Sequence, residues 1–267
     1  MPRSIMVHFL PEWVAPQALA GECAVVVDVL RASTTIVHAL ASGAESVIPC
    51  LEIEDAVRAA NSMPGARAVL GGERGGLPIA RFQLGNSPAE YTPESVGGRR
   101  VVFTTTNGTK ALLRCCVARR VIVGALVNAA AVASALANEH RVHILCAGTR
   151  GSISLEDVMA AGCLVERFAS ESAADELDDS ALVARNVWRS CIGSPGIRAS
   201  MAGADRSVPQ LPMEMLRERL TAAMRQSHGG RNLMDIGLAD DIRVAAMLDA
   251  FDHVPVFDPA ERTIRLA

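Results

Sequence analysis

Asp28 and Glu73 stand in this sequence where packing gives an acid no purpose. Asp28 closes the apolar run Ala24-Val25-Val26-Val27, and Glu73 lies among glycines in Gly71-Gly72-Glu73-Arg74-Gly75-Gly76. A second pair of acids, Glu156-Asp157, opens a stretch with the period of a helix. Acids that gather in one place are comfortable only around a cation. Mg²⁺ takes oxygen ligands, keeps several waters, and is typically held by one or two carboxylates together with substrate phosphate oxygens. For Glu156 and Asp157 an equal alternative stays open, because acids in the first turn of a helix complement its dipole.

The same positions carry groups suited to anions. After residues 24–27 comes Asp28-Val29-Leu30-Arg31-Ala32-Ser33-Thr34-Thr35. After 101–103 comes Thr104-Thr105-Thr106-Asn107-Gly108-Thr109-Lys110, and after 144–146 comes Ala147-Gly148-Thr149-Arg150-Gly151-Ser152. Each presents hydroxyls, small residues and a cation to the start of a helix, where free backbone N–H groups and the dipole favour an anion. Ser, Thr and Asn at such places are also ordinary helix caps. Capping, however, requires neither Asp28 nor Arg31, Lys110 or Arg150.

These groups must be positioned by a fold, and the hydrophobic pattern supplies one. Short β-branched runs at 5–9, 24–29, 46–49, 66–70, 100–104, 120–123 and 142–146 alternate with helical stretches at 33–41, 54–62, 107–115, 129–138 and 155–170. That alternation predicts a three-layer α/β/α fold with a largely parallel sheet, whose ligands bind beyond the carboxyl ends of the strands. From 171 the chain turns mostly helical. A polar stretch at 171–180 leads to a helix through Arg189, then a Gly/Pro-rich link at 193–196, helices at 213–225 and 240–251, and an extended tail at 254–258 and 263–266. We expect a single α/β domain over 1–267, with any internal boundary near 171–196. Residues 71–98, with seven Gly and three Pro, read as a long irregular loop, and such loops are usually functional. In the helical C-terminal third, Arg198, Arg206 and Arg231 are either a lid over the site or, as we favour, surface arginines.

Composition narrows the chemistry. The chain has 267 residues, half of them hydrophobic, 21% charged and with a net charge of −3, as in an enzyme-sized globular protein. No apolar run reaches the roughly 18 residues of a membrane helix, and the N-terminal segment meets Pro11-Glu12 before a secretory core could form. A cytoplasmic protein is expected. Seven Cys without C-x-x-C spacing predict buried, reduced thiols. Nine aromatic residues and a negative balance argue against a nucleic-acid partner, and the apolar content leaves room for a homodimer interface. There is no phosphate-binding P-loop, no G-x-G-x-x-G, no Cys with Arg six positions on and no H-E-x-x-H. Among the six histidines the one to follow is His228, in Ser227-His228-Gly229-Gly230-Arg231-Asn232.

Five blocks, 28–35 (DVLRASTT), 71–76 (GGERGG), 85–88 (GNSP), 104–109 (TTTNGT) and 146–162 (CAGTRGSISLEDVMAAG), resemble in order the signatures of the 2-phosphosulfolactate phosphatase family. Residues 227–230 and 240–242 resemble later family positions, whereas Gln83 departs from the Asp expected ahead of the GNSP block. The resemblance implies a Mg²⁺-dependent phosphatase that converts (2R)-phospho-3-sulfolactate to 3-sulfolactate and phosphate, a step on a route to coenzyme M. Combined with the acids and anion loops, it makes Asp28, Arg31, Glu73 and Arg74 the expected catalytic residues and Asp28, Glu73 and Asp157 the expected Mg²⁺ ligands. Ser33, Thr34, Asn86, Ser87, Thr105, Thr106, Asn107, Gly108 and Thr149 are the expected contacts to a small anionic phosphorylated substrate. Two alternatives stay open: another small acidic phosphomonoester, and a non-catalytic binder of a phosphorylated or sulfonated metabolite. A Mg²⁺-dependent phosphotransferase ranks last, since few aromatics are present to stack a base.

Overall fold

The computed structural model describes residues 3–63, 67–169, 175–193 and 212–267. Residues 171–174 and 194–196 of the polar stretch and the link, and Arg198 and Arg206, lie outside the described residues. Among the described residues, eleven strands form one sheet: β1 Ser4–His8, β2 Cys23–Val27, β3 Ser46–Pro49, β4 Ala68–Arg74, β5 Leu77–Pro78, β6 Arg100–Thr104, β7 Arg120–Gly124, β8 Arg141–Cys146, β9 Glu176–Leu177, β10 Pro255–Asp258 and β11 Thr263–Leu266. Their order is β5-β4-β6-β3-β11-β10-β7-β2-β8-β1-β9. The groups β4-β6-β3 and β7-β2-β8-β1-β9 are each parallel. Between them the C-terminal tail inserts as the antiparallel hairpin β10-β11.

The expected α/β architecture is present, with a large mostly parallel sheet and helices around it. Strand β2, Cys-Ala-Val-Val-Val, is buried at every residue, the signature of a strand covered on both faces. Because side chains alternate along a strand, Cys23, Val25 and Val27 enter one core while Ala24 and Val26 enter another. Helices α6 (Leu155–Phe168) and α7 (Asp179–Ile192) fill the first core with Met159, Leu164 and Trp188. Helices α1 (Ala32–Ala41) and α4 (Gly108–Arg114) fill the second with Ile36, Leu40 and Leu112. Intervening helices are α2 (Ile53–Asn61), α3 (Pro93–Val96) and α5 (Ala129–Ala135), and α8 (Met213–Gln226), α9 (His228–Asp235) and α10 (Ala239–Ala245) precede the C-terminal hairpin.

Three departures from the sequence pattern bear on function. The strand expected at 66–70 runs on through Gly71-Gly72 to Arg74, so the glycine-rich segment begins as sheet. A Cβ on Gly72 would lie 2.0 Å from the Thr104 carbonyl oxygen, so glycine is what lets β4 hug β6 to its end. Helix α9 was not expected; the Ser227 hydroxyl accepts the Gly230 N–H at 2.9 Å and starts it. Cysteines 23, 50, 115, 146 and 163 are buried and free as expected, but Cys116 is exposed.

The α6–α7 contact depends on Gly162, where a Cβ would stand 2.0 Å from the Ala184 carbonyl oxygen. In an exposed helix, Gly→Ala stabilises by roughly 1 kcal/mol. Here Gly162→Ala is expected to destabilise by about 1–3 kcal/mol through overpacking. Thermal unfolding checks the sign, and a raised melting temperature contradicts the packing described.

Candidate active site

The ends of β2, β4, β6 and β8 come together around a small cleft open to solvent. Asp28, Arg31, Glu73, Asn86, Thr106, Asn107 and Thr149 of the expected residues line it, joined by Arg150 and by His228, Gly229 and Asn232 of α9. Glu73 reaches it because β4 extends beyond its glycines. Its Oε1 accepts the Thr106 N–H and its Oε2 the Gly76 N–H, both at 2.7 Å, which ties the ends of β4 and β6 together. Asn107 Oδ1 accepts the Arg150 N–H at 3.3 Å and links the β8 loop to the same wall.

Arg31 is buried and held at both ends of its fork. One nitrogen donates to Asp241 Oδ2 at 2.8 Å and the other to the Gly76 carbonyl at 2.6 Å. Asp241, on α10, also accepts the Ser87 hydroxyl at 2.5 Å. A buried guanidinium thus stands beside the cleft, fixed by two elements far apart in sequence.

The acids repel one another in this setting. Burial pushes the Asp28 carboxyl up to about 7; the neighbouring Glu73 charge adds to this, and the Ala32 N–H opposes it. Burial and the charges of Asp28 and Glu156 hold Asp157 well above the ordinary carboxylate range. Glu156 is raised by burial too, with Ser227 and His228 pulling it back, and its Oε2 has no hydrogen-bond partner.

Several expected residues lie elsewhere. Ser33 Oγ accepts the Asp28 N–H at 2.9 Å, and Thr34 Oγ1 donates to the Val29 carbonyl at 2.8 Å, so both hydroxyls brace the β2–α1 turn behind the cleft. Thr105 and Thr109 exchange N–H-to-hydroxyl bonds at 3.2 and 3.3 Å, which is local capping. Gly108 backs Asp28 rather than the cavity. Arg74 turns away, donating to the Glu73 and Leu51 carbonyls and the Thr104 hydroxyl, each at 2.8 Å. Ser87 serves Asp241, Lys110 is exposed, and Arg231 donates to the Gln226 carbonyl outside the cleft. Asp157 is a brace: its two oxygens accept the Val29 and Gly148 N–H groups at 2.8 and 3.0 Å, and it does not face the cavity. Gln83, the departure from the family pattern, is exposed and accepts the Leu70 N–H at 2.8 Å, away from the cleft.

The chain matches the family of 2-phosphosulpholactate phosphatases over residues 8–210. It belongs to that family. A protein of Symbiobacterium thermophilum named probable 2-phosphosulfolactate phosphatase is 40% identical over 242 residues, covering 90% of this chain and 93% of that protein. Proteins of the same name from Cyanothece and Deinococcus radiodurans are 34% and 38% identical, over 94% and 92% of this chain and 95% and 92% of their own. With the 2-phosphosulfolactate phosphatase family comes its enzyme class, the phosphoric monoester hydrolases. No helix of the described residues is long and apolar enough to cross a membrane.

Among the described residues of this family member, no three His, Cys, Asp or Glu side chains form a self-sufficient metal cluster. Two carboxylates, Asp28 and Glu73, do line the cleft, and beside them Asn86 Oδ1 and Thr106 Oγ1 are buried without a hydrogen-bond partner. All are hard oxygen donors, and the set suits a Mg²⁺ ion completed by water and substrate oxygens. Sequence reasoning left Asp241, Asn232 and Arg150 outside the expected site. The only signal for Asp241 was its place in a block resembling the family, and Arg150 was visible as the cation of the third anion loop.

The Asp28 shift has a consequence for stability. Unfolded, this carboxyl ionises near 3.8, and folded near 7, so the folded chain keeps a proton that the unfolded chain releases between those values. Stability therefore falls as pH rises through that window. In EDTA, Asp28→Asn is expected to be more stable than the wild type at pH 8, by at most about 4 kcal/mol, with the gap closing towards pH 4. Denaturant titrations across pH check it, and a pH-independent gap contradicts it.

Proposed function

We propose that this cleft hydrolyses (2R)-phospho-3-sulfolactate to 3-sulfolactate and phosphate with Mg²⁺, in the cytoplasm and as a step of the coenzyme M type. The observation that carries the reading is the pair Asp28 and Glu73, two buried carboxylates facing one small cleft with unpartnered Asn86 and Thr106 oxygens. A non-catalytic anion binder has no use for that pair, which repels its ligand. Family membership supports the phosphate ester, and the names of the relatives support the sulfolactate.

In this reading Asp28 and Glu73 would hold the ion, which when bound would supply positive charge to offset that on the transferring phosphoryl oxygens. Arg31 supplies a second positive charge, and because Asp241 and Gly76 already fix it, no reorganisation is needed as charge develops. The unpartnered Asn86 and Thr106 oxygens would complete the ion's protein ligands. The bond from phosphorus to the C2 oxygen breaks; water gives its hydroxyl to phosphorus and its proton to the departing oxygen.

The test is phosphate release from racemic phosphosulfolactate beside a panel of phosphomonoesters, with Mg²⁺ and with EDTA. We expect metal-dependent release that prefers phosphosulfolactate, and a loss in kcat on the order of 10²–10³-fold for Asp28→Asn and for Glu73→Gln. Wild-type turnover in both variants, correctly folded, defeats the metal-site reading. Preferred release from a different ester keeps the chemistry and moves the substrate.

A further inference from the structure

Arg150 is left over when the machinery above has been assigned. It sits in the turn after β8, bridged at Thr149 and Ser152, with φ of +53° between Gly148 and Gly151, which share positive φ. Left-handed backbone at a residue with a side chain costs of order 1 kcal/mol, and such strain concentrates at functional sites. The turn is kept in place from outside, by Asn107 Oδ1 accepting the Arg150 N–H. Its product is an exposed arginine that lines the cleft and whose guanidinium has no hydrogen bond or ion pair among the described residues. Arg31, the other arginine there, is held by Asp241 and Gly76.

The cleft carries charge of both signs. Beside the acids Asp28 and Glu73 a phosphoryl group is tolerated only with a cation. A further anionic group placed there meets their repulsion. Arg150, with His228 and Asn232 also lining the cleft, offers the alternative place, and a planar guanidinium pairs with a sulfonate or carboxylate through two parallel hydrogen bonds. We propose that Arg150 is a specificity-determining residue that binds the second acid group of the substrate. The enzyme therefore selects small phosphomonoesters that carry a sulfonate or carboxylate near the ester. This inference rests on the phosphatase reading and deepens it.

The experiment compares wild type, Arg150→Met and Arg150→Lys on phosphosulfolactate, phospholactate and phenyl phosphate, the last without a second acid. The folded state is confirmed by circular dichroism. For Arg150→Met we expect kcat/KM on phosphosulfolactate to fall about 10–100-fold, mainly through KM, as fits loss of a charge-assisted pair. That fall should exceed any fall on phenyl phosphate at least tenfold, and Arg150→Lys should recover part of it. A fall confined to phosphosulfolactate identifies the sulfonate as the group bound; a fall shared with phospholactate identifies the carboxylate. Equal losses on all three esters, or none, overturn the proposal. Calorimetric binding of 3-sulfolactate and of inorganic phosphate separates the two readings. If the wild type hydrolyses none of the esters, the phosphatase reading fails. Weaker 3-sulfolactate binding by Arg150→Met, with phosphate binding less affected, then still upholds the role of Arg150, and unchanged 3-sulfolactate binding overturns it.

Discussion

The buried charge at one sheet edge governs this molecule. Among the described residues, the carboxylates that are buried are Asp28, Glu73, Glu156, Asp157 and Asp241, and the buried arginine is Arg31. Removing an ion from water costs several kcal/mol even after relaxation, so the surrounding chain has to offset most of that. Backbone N–H groups do so for Asp157 through Val29 and Gly148, and for Glu73 through Thr106 and Gly76. Arg31 and Ser87 do so for Asp241. Asp28 receives only a long bond from the Ala32 N–H, 3.4 Å, and Glu156 keeps an unpartnered oxygen. The least satisfied acid that faces the cleft is Asp28, so a cation held there would offset its unmet charge and serve chemistry with the same contact.

This bracing explains which parts of the site could be read in the sequence. Buried strands were legible, since a run such as Cys-Ala-Val-Val-Val has no other way to satisfy its apolar side chains. Asp28 and Glu73 were legible because an acid at the end of such a strand, or among glycines, contradicts its surroundings. The hydroxyls were not. Ser33, Thr34 and Thr105 have the composition of an anion loop and of a helix cap alike, and only the direction of each side chain decides between them. Arg74 misled for a similar reason: it neighbours Glu73 in sequence, but alternation along β4 sends it to the other side, where the Leu51 and Thr104 oxygens take it up. Asp157 reads like a ligand and is instead the acid that ties the β2 and β8 loops together.

The C-terminal contribution was the least visible. The sequence pattern predicts a helix from 240 but none at 228–235, and nothing in it says that α9 and α10 return to the edge formed by residues 28–31 and 73–76. What brings them back is chemistry at single positions: Ser227 starting α9, and Asp241 meeting Arg31 across 210 residues of sequence. Gln83 shows the converse. It departs from the family pattern beside a block expected to bind substrate, yet its side chain bonds to the backbone of β4 outside the cleft, so the difference concerns an exposed strand contact.

The Arg31–Asp241 pair also separates two tasks that a single arginine performs poorly together. A guanidinium that stabilises developing charge should be immobile, since any motion lost at the moment of reaction adds to the barrier. One that admits some acids and refuses others gains from being unpaired before the ligand arrives, because it then has no internal partner to give up. Arg31 is locked between α10 and the β4–β5 turn, and its partner cannot be removed without stranding a buried charge. Arg150 stands on a strained turn with its side chain free. The fold therefore assigns fixed electrostatics to the layer that the C-terminal helices clamp shut, and discrimination to a loop that can change without disturbing it.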